Sequence, residues 1–495
     1  MPIKIFISLI MFIYGCALNK KVYTPKDINK KESSVIKVHM KNGSLYVLNS
    51  WNVDENKRIL KGNGTYYSID RKNSNVNNFE IPIDSIAIIE SNEVVPSGAI
   101  APLVLITSVS VAMTGYCSVN QKACFGSCPT FYINNHLIAE GFSSSIAPPL
   151  EEDDIDMLYN VKPENGELSI KMKNEALETH VVRYANVLAV PKEEGSYIFA
   201  TSDFKFYKVN KLISPIHAKC PQKECLNLIS SLDGKEWFDL ADDKDLGKQE
   251  EIEIIFLAEK DKNYGLVIGK RQTLLPTFLF YQILAYMGNN AGYFISRIGN
   301  ENNSNGKYEK LKEIVKKIKG IEIYIDNNKI DYMDSEGPIA IDYSLAMLGK
   351  LNKDTIKIKL RFTKGAVRLD YVALAEIKGI AEPITIEPFL VLHNNQEDKE
   401  ALTSLLDKNK VLTTLPGDEY ILKYKIPSGN FEFFLHTRGY YLEWIRKEWI
   451  KEENLLALWE FISFPDITLK NLAPKYKKIE PQMEEVFWKS KYVKP

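Results

Sequence analysis

At 495 residues and 56.5 kDa the chain is too long for one compact core, so about two to four domains are expected. Hydrophobic residues make up 45% and charged residues 26%, a globular composition that excludes a disordered chain. A net charge of −1 supplies no general attraction to nucleic acid, and no nucleic-acid partner is expected.

The first sixteen residues form an export signal. Lys4 is the only charge before the apolar run Ile5 to Tyr14, which is too short to span a bilayer, and Ile13-Tyr14-Gly15-Cys16 follows. An aliphatic residue at −3, Gly at −1 and Cys at the cut resemble a lipobox, with Tyr14 departing from its usual small residue. The expectation is a lipoprotein signal peptide over 1–16, lipidation of Cys16 and a polar tether over 17–32. The membrane is then a partner through the N-terminal lipid, with two or three acyl chains giving stable attachment. An ordinary signal peptide with an incidental cysteine is the plainer alternative.

Residues 33–95 read as a small all-β unit. Val35 to Met40 alternates, Lys41 to Ser44 turns and Leu45 to Leu48 runs back. Gly62-Asn63-Gly64 suggests another turn, and Phe79 to Ile89 closes the unit. Such short strands resemble SH3-like or Sm-like barrels. An uncharged segment at 96–118, centred on Gly98 to Tyr116, is long enough to cross a bilayer. A lipid-anchored N-terminus and scarce flanking basic residues favour a buried or membrane-touching segment instead.

Residues 119–230 form a β-rich region with cysteines. In an exported chain, Cys124 with Cys128 and Cys220 with Cys225 are disulfide candidates, leaving Cys117 over. Free thiols and a four-thiolate metal site are the alternatives, the spacing being loose for zinc, and no metal is assigned. Leu168 to Lys173 and His180 to Val190 read as paired strands. The runs CFGSCPTFY, AEGFSSSIAPPLEEDDID and IKMKNEALETHVVRYANVLAVP resemble uncharacterised cell-envelope lipoproteins of Gram-negative bacteria. SLDGKEWF, GKRQTLLPTFLFYQILAYMG, EGPIAIDY, RLDYVAL and RGYYLEW extend that resemblance from about Val35 to the C-terminus. It implies an envelope address and supplies no activity.

Residues 231–390 read as a β-sandwich-like domain with inserted helices, Leu274 to Ile298 and Lys307 to Lys319. Glu251 to Phe256, Ile321 to Ile325, Ile339 to Tyr343, Thr355 to Thr363 and Val367 to Leu374 are strands. The last two flank Lys364-Gly365 as a hairpin, and the order resembles the closing strands of galactose-binding-like jelly rolls. Residues 391–495 form an α+β region: a helix from Glu400 to Lys408, strands Tyr420 to Ile426 and Asn430 to His436, and a long helix from Tyr440 to Phe464. That helix carries Trp444, Trp449 and Trp459 among bases. It would suit a membrane surface, but Glu443, Glu448, Glu452 and Glu453 cancel the bases, which favours packing. The fold class is mainly β (α+β) with C-terminal helices.

No G-x-S-x-G elbow, H-E-x-x-H, Walker loop or dinucleotide fingerprint occurs, and no catalytic residue or cofactor is assigned. Cys124 as a nucleophile with His136 or His180 is a minor alternative to a bridge. The acidic runs Glu151-Glu152-Asp153-Asp154-Asp156 and Asp239, Asp242, Asp243, Asp245 lack a calcium-loop pattern. Trp237 and Phe238 suit a sugar ring or, more simply, a local core. The expectation is a non-catalytic binding or scaffolding protein with a protein or glycan partner. It faces the periplasm, with the outer membrane favoured over the inner. The alternatives are an envelope enzyme using carboxylates brought together by the fold, such as Asp342 and Asp370 held about 5–9 Å apart, or a thiol-redox protein.

Overall fold

The computed structural model describes residues 16–23, 36–40, 44–67, 74–96, 129–143, 151–176, 178–221, 225–288, 314–335, 337–443 and 452–489. It is mainly β, with helices gathered toward the C-terminus. The segment 98–116, Cys117, Cys124, Cys128, Trp444 and Trp449 lie outside the described residues.

The N-terminal unit is a six-stranded antiparallel sheet. Its order is Cys16–Tyr23, Ile86–Pro96, Ile36–Met40, Leu45–Asp54, Ile59–Tyr67 and Ser74–Pro82. Residues 17–23, expected within a tether, are paired: Cys16 stands opposite Pro96 and Tyr23 opposite Ile89. Gly62 to Gly64 are not a turn but the middle of a strand. A Cβ on Gly64 would lie 2.0 Å from the Val47 carbonyl oxygen, beside a register shift between Leu48 and Ser50. The glycines therefore permit close backbone approach within the sheet. Ile36, Val38, Leu48, Leu60, Ile81 and Ile86 fill this unit's core.

Beyond it, the sheets are shared across the expected boundaries at 230/231 and 390/391. One six-stranded sheet runs Gln396–Glu397, Leu390–His393, Glu419–Lys425, Glu167–Lys173, Thr130–Ile133 and His136–Glu140. A five-stranded one holds Ile384–Ile386, Glu178–Pro191, Phe431–Glu443 and Asp153–Met157, with Leu412–Thr414 also pairing the Glu178–Pro191 strand. These two sheets face each other. Ile170, Met172, Leu422 and Tyr424 of the first meet Val182, Ala185, Val187 and Leu435 of the second in one core, with Ala401 and Leu405 of the helix Lys399–Leu406 at its edge.

The second sheet is buried on both faces. Leu188, Val190, Met157 and Phe434 turn the other way and join Val209, Val267, Leu345 and Ala373 in the next core. That core belongs to a closed barrel of Tyr197–Ala200, Phe206–Ile213, Val367–Ala381, Lys262–Gln272 and Asp342–Leu351, sealed by a parallel bridge from Ala200 to Ser344. Burial on both sides explains the nearly unbroken apolar run from Val187 to Val190.

The outer face of the barrel packs on a five-stranded sheet of His217–Lys219, Gln249–Leu257, Thr355–Thr363, Gly320–Ile325 and Asn328–Asp334. The same core takes in the helices Leu274–Met287, Leu455–Ser463 and Pro465–Lys489. Thr273 caps the first of them by accepting from the Leu275 amide at 3.1 Å, and Pro276 occupies its first turn as expected.

Three local expectations are corrected. Leu168 to Lys173 and His180 to Val190 do not pair. They sit in facing sheets, and Asn174 turns the corner by donating to the Glu178 carbonyl at 3.0 Å. Thr355–Thr363 and Val367–Ala381 flank Gly365 without forming a hairpin: Gly365 (φ 77°) passes the chain from the outer sheet to the barrel. The expected helix from Tyr440 is instead the end of a strand reaching Glu443, and helix resumes at Leu455. Tyr440 and Leu442 are buried there with Val181 and Val411, so cross-strand packing keeps the chain extended.

Candidate functional site

A polar cluster occupies one end of the barrel. Lys270, almost fully buried, donates to Asp342 Oδ2 at 2.5 Å and to Ser344 Oγ at 2.6 Å. Tyr343, between those two residues in sequence, points to the other face of its strand, where its hydroxyl donates to Asp370 Oδ2 at 2.9 Å. A register shift between Gly269 and Lys270 accompanies the turn of Asp370 into this position. Burial raises the Asp370 carboxyl to about 6, opposed by the Tyr343 hydroxyl and the Gly234 backbone amide and assisted by the nearby Glu236 and Asp233 charges.

Next to it, Glu236 accepts a fork from Arg271, Nε at 2.5 Å and Nη2 at 2.6 Å, and a third bond from Arg368 Nη1 at 3.3 Å. Arg368 also donates through Nε to Glu484 at 3.2 Å and lies over the Phe238 ring at 3.6 Å. Arg271 donates to the Pro338 carbonyl at 2.7 Å. The fold thus brings Asp342 and Asp370 to the two strands that flank Lys262–Gln272, but on opposite faces and to different partners, the one an ammonium and the other a phenol.

A second buried pair lies under the 231–248 loop. Asp239 and Glu250 are more than nine-tenths buried and lie against each other, with the Gly365 backbone amide beside Glu250. Burial first, and the Asp239 charge second, raise Glu250 to about 8, with Lys364 opposing. The loop is clamped from the C-terminal helix: Glu480 accepts from the Ala241 amide at 2.7 Å, and Lys477 donates to the Ala241 carbonyl at 2.8 Å. Trp237 is buried against Phe362, so the aromatic pair beside this loop serves the core: Phe238 lies under Arg368, and neither ring is offered to a sugar.

Of the other acids in this loop, Asp242 Oδ1 accepts from the Lys244 and Asp245 amides, and Asp245 Oδ1 from Gly247. Those carboxylates are committed to turning the chain, not to a cation. In the other acidic run, Glu151 takes a fork from Arg183 (2.5 and 3.0 Å) and a bond from Arg438 (3.1 Å). Asp153 bonds Tyr184 and Arg438, and a bond to His436 holds its carboxyl down to about 2, against burial and with help from Tyr184 and Arg438. Asp153–Met157 is the edge strand of the second sheet, paired with Phe431–Glu443. Among the described residues no group of three or more His, Cys, Asp or Glu is placed to hold a metal ion.

Cys220 and Cys225 stand at disulfide distance, with Cα atoms 6.1 Å apart. The bridge closes a short loop ahead of the helix Leu226–Ile229. A loop this small gives about 2 kcal/mol by chain entropy. Alkylation followed by peptide mass analysis is expected to label Cys220 and Cys225 only after reduction, and to label Cys225 without reductant in Cys220→Ser. Equal labelling without reductant would show open thiols.

The largest unpartnered feature is apolar. The helix Leu455–Ser463 buries Leu458, Phe461 and Ile462 on one side and exposes Leu455 (54%), Leu456 (77%) and Trp459 (50%) on the other. Phe464 and Ile467 continue this exposed face into the next helix, with the Phe464 ring edge-on to Trp459 at 5.5 Å. Acids border it: Glu453, Glu460 and Asp466, the last paired with Lys317 at 3.3 Å. Trp459 was legible in the sequence as an aromatic among charges. Nothing in the sequence singled out Leu455 and Leu456, because a mostly apolar helix gives no sign of which side is covered. No described helix is long and apolar enough to cross a membrane.

No family model matches the chain, and no curated protein does. Among solved structures, a secreted serine protease VesC from Vibrio cholerae is similar at 9% identity and TM-score 0.14, over 44% of this chain and 48% of its own. An alpha-xylosidase from Xanthomonas citri is similar at 8% identity and TM-score 0.15, over 85% of this chain and 38% of its own. The VP2 subviral particle of infectious bursal disease virus is similar at 8% identity and TM-score 0.11, over 95% and 93%. The chain spans about half the length of the protease and less of the xylosidase. Likenesses this weak carry no argument about function.

Proposed function

We propose that this chain is a lipid-anchored protein of the Gram-negative cell envelope that binds a partner and does not catalyse a reaction. The observation that carries the binding half is the contrast between its polar and apolar surfaces. The acid–base groups at the barrel end and on the Asp153–Met157 strand are spent on one another, whereas the 455–467 face presents five large apolar side chains to solvent. The anchoring half rests on Ile13-Tyr14-Gly15-Cys16 behind a short apolar run. With Cys16 opposite Pro96 at the end of the first sheet, a lipid there holds the body close to its leaflet. The periplasmic face of the outer membrane is the favoured address; the membrane is the first partner of the 455–467 face, and a protein or glycan is the class expected at the rest of the surface.

Labelling with radioactive palmitate tests the anchor. Label is expected in the membrane fraction of cells expressing the full chain and absent with Cys16→Ala. Label that persists in the Ala variant, or a wild-type chain that stays soluble and unlabelled, would remove the lipoprotein reading.

A further inference from the structure

We infer that the exposed face of Leu455, Leu456, Trp459, Phe464 and Ile467 is a second membrane contact, seated in the interface of the bilayer that carries the Cys16 lipid. This deepens the anchored reading and rests on it. One helix is apolar on both sides: one side closes the protein's own core through Leu458, Phe461 and Ile462, and the opposite side faces solvent. A helix of that pattern needs a second apolar surrounding.

Area decides against a second copy of the chain. Five side chains exposed by half to three-quarters offer on the order of 500 Å², below the roughly 800 Å² per partner of a stable protein interface. Chemistry points the same way. Apart from the Trp459 indole N–H, none of the five side chains has a hydrogen-bonding group, whereas protein interfaces carry about one hydrogen bond per 100–200 Å². A bilayer interface asks for no such pattern, and an indole among aliphatic side chains suits its headgroup boundary. A face of this size binds a bilayer weakly by itself, enough to be seen at high lipid excess, and the anchor then makes the two attachments act as one stable one. Among the described residues the acids Glu453, Glu460 and Asp466 border the face, so the contact is expected to be indifferent to lipid charge.

The test uses the chain from residue 16 onward with Cys16→Ser, which carries no lipid, floated with phosphatidylethanolamine vesicles with and without phosphatidylglycerol. The chain is expected to float with both compositions, and Leu456→Glu with Trp459→Glu to reduce the floated fraction at least fivefold. Both positions are exposed, and an unchanged circular dichroism spectrum and thermal midpoint identify a folded variant. An unlipidated chain that stays at the bottom, or a folded double variant that floats equally well, overturns the inference. So does a dimer in sedimentation that the same substitutions dissolve, because the face then belongs to a second copy. Palmitate labelling reports the anchor separately: labelled Cys16 with no flotation of the Ser chain overturns the second contact alone.

Discussion

Glu250→Gln is expected to make the protein more stable at pH 9 and leave it nearly unchanged at pH 5. Glu250 sits beside Asp239 in the core under the 231–248 loop, and burial with that neighbouring charge raises it to about 8 from an ordinary 4.5. The folded protein therefore binds this proton more tightly than the unfolded chain. Stability from the protonated pair is fully present below about pH 4.5 and is lost as pH rises through about 8. Each pH unit in that window changes stability by at most about 1.4 kcal/mol, and a coupled pair realises only part of it, so a total of about 2–4 kcal/mol is expected.

Asp153 works in the opposite sense at the other end of the scale. Held down to about 2, it contributes stability above its ordinary 3.8 that is lost as pH falls through about 2. Urea unfolding between pH 5 and pH 9 avoids that window, and the difference between wild type and Glu250→Gln removes the contribution of Asp370, which is raised to about 6. Parallel pH profiles for the wild type and Glu250→Gln would mean that the pair does not carry the shared proton.

The second large effect is expected at Glu236. Its carboxylate is the common acceptor for Arg271 and Arg368, both about nine-tenths buried in their side chains. Glu236→Gln removes the charge while keeping the shape. Two neighbouring guanidinium groups are then left with Glu484, itself more exposed, as the nearby carboxylate. Removing one partner of a buried ion cluster costs about 3–5 kcal/mol, mostly because the remaining charges stay desolvated. The urea midpoint should fall accordingly, and adding Arg368→Met should restore part of the loss by removing one of the stranded charges. A fall below about 1 kcal/mol would show that water reaches the arginines and that the cluster is not a dry one.

Both effects concern groups whose sequence neighbourhoods were readable while their partners were not. Asp239 was visible as one member of an acidic loop, in which Asp242 and Asp245 each bond nearby backbone amides. Glu250 lies eleven residues away in a strand, and only the packing of the loop against that strand makes the two a pair. Asp342 and Asp370 were singled out as carboxylates a fold might assemble. The fold does bring them to adjacent parts of the barrel, but Lys270 and Tyr343 claim them on opposite faces.

The sequence by itself determined where the chain is extended and where it is helical over most of the described length. Alternation at Glu251 to Phe256, the β-branched run before Pro191 and the proline in the first turn at Pro276 are local signals, because side-chain period and backbone propensity act within a few residues. It also holds the run Ile13-Tyr14-Gly15-Cys16 on which the proposed anchor rests. The tertiary structure alone decided pairing. At Asn174–Glu178 and at Lys364-Gly365 the chain leaves one sheet for another instead of folding back as a hairpin. The residues of a tight corner and a hairpin turn are alike, and the difference lies in which distant strand buries the exposed edge. The helix Pro465–Lys489 is the clearest case. Pro474 and Pro481 break its local pattern, yet Leu469, Leu472, Ala473, Tyr476, Met483 and Phe487 hold it against the core, because burial of that face outweighs two missing amide hydrogen bonds.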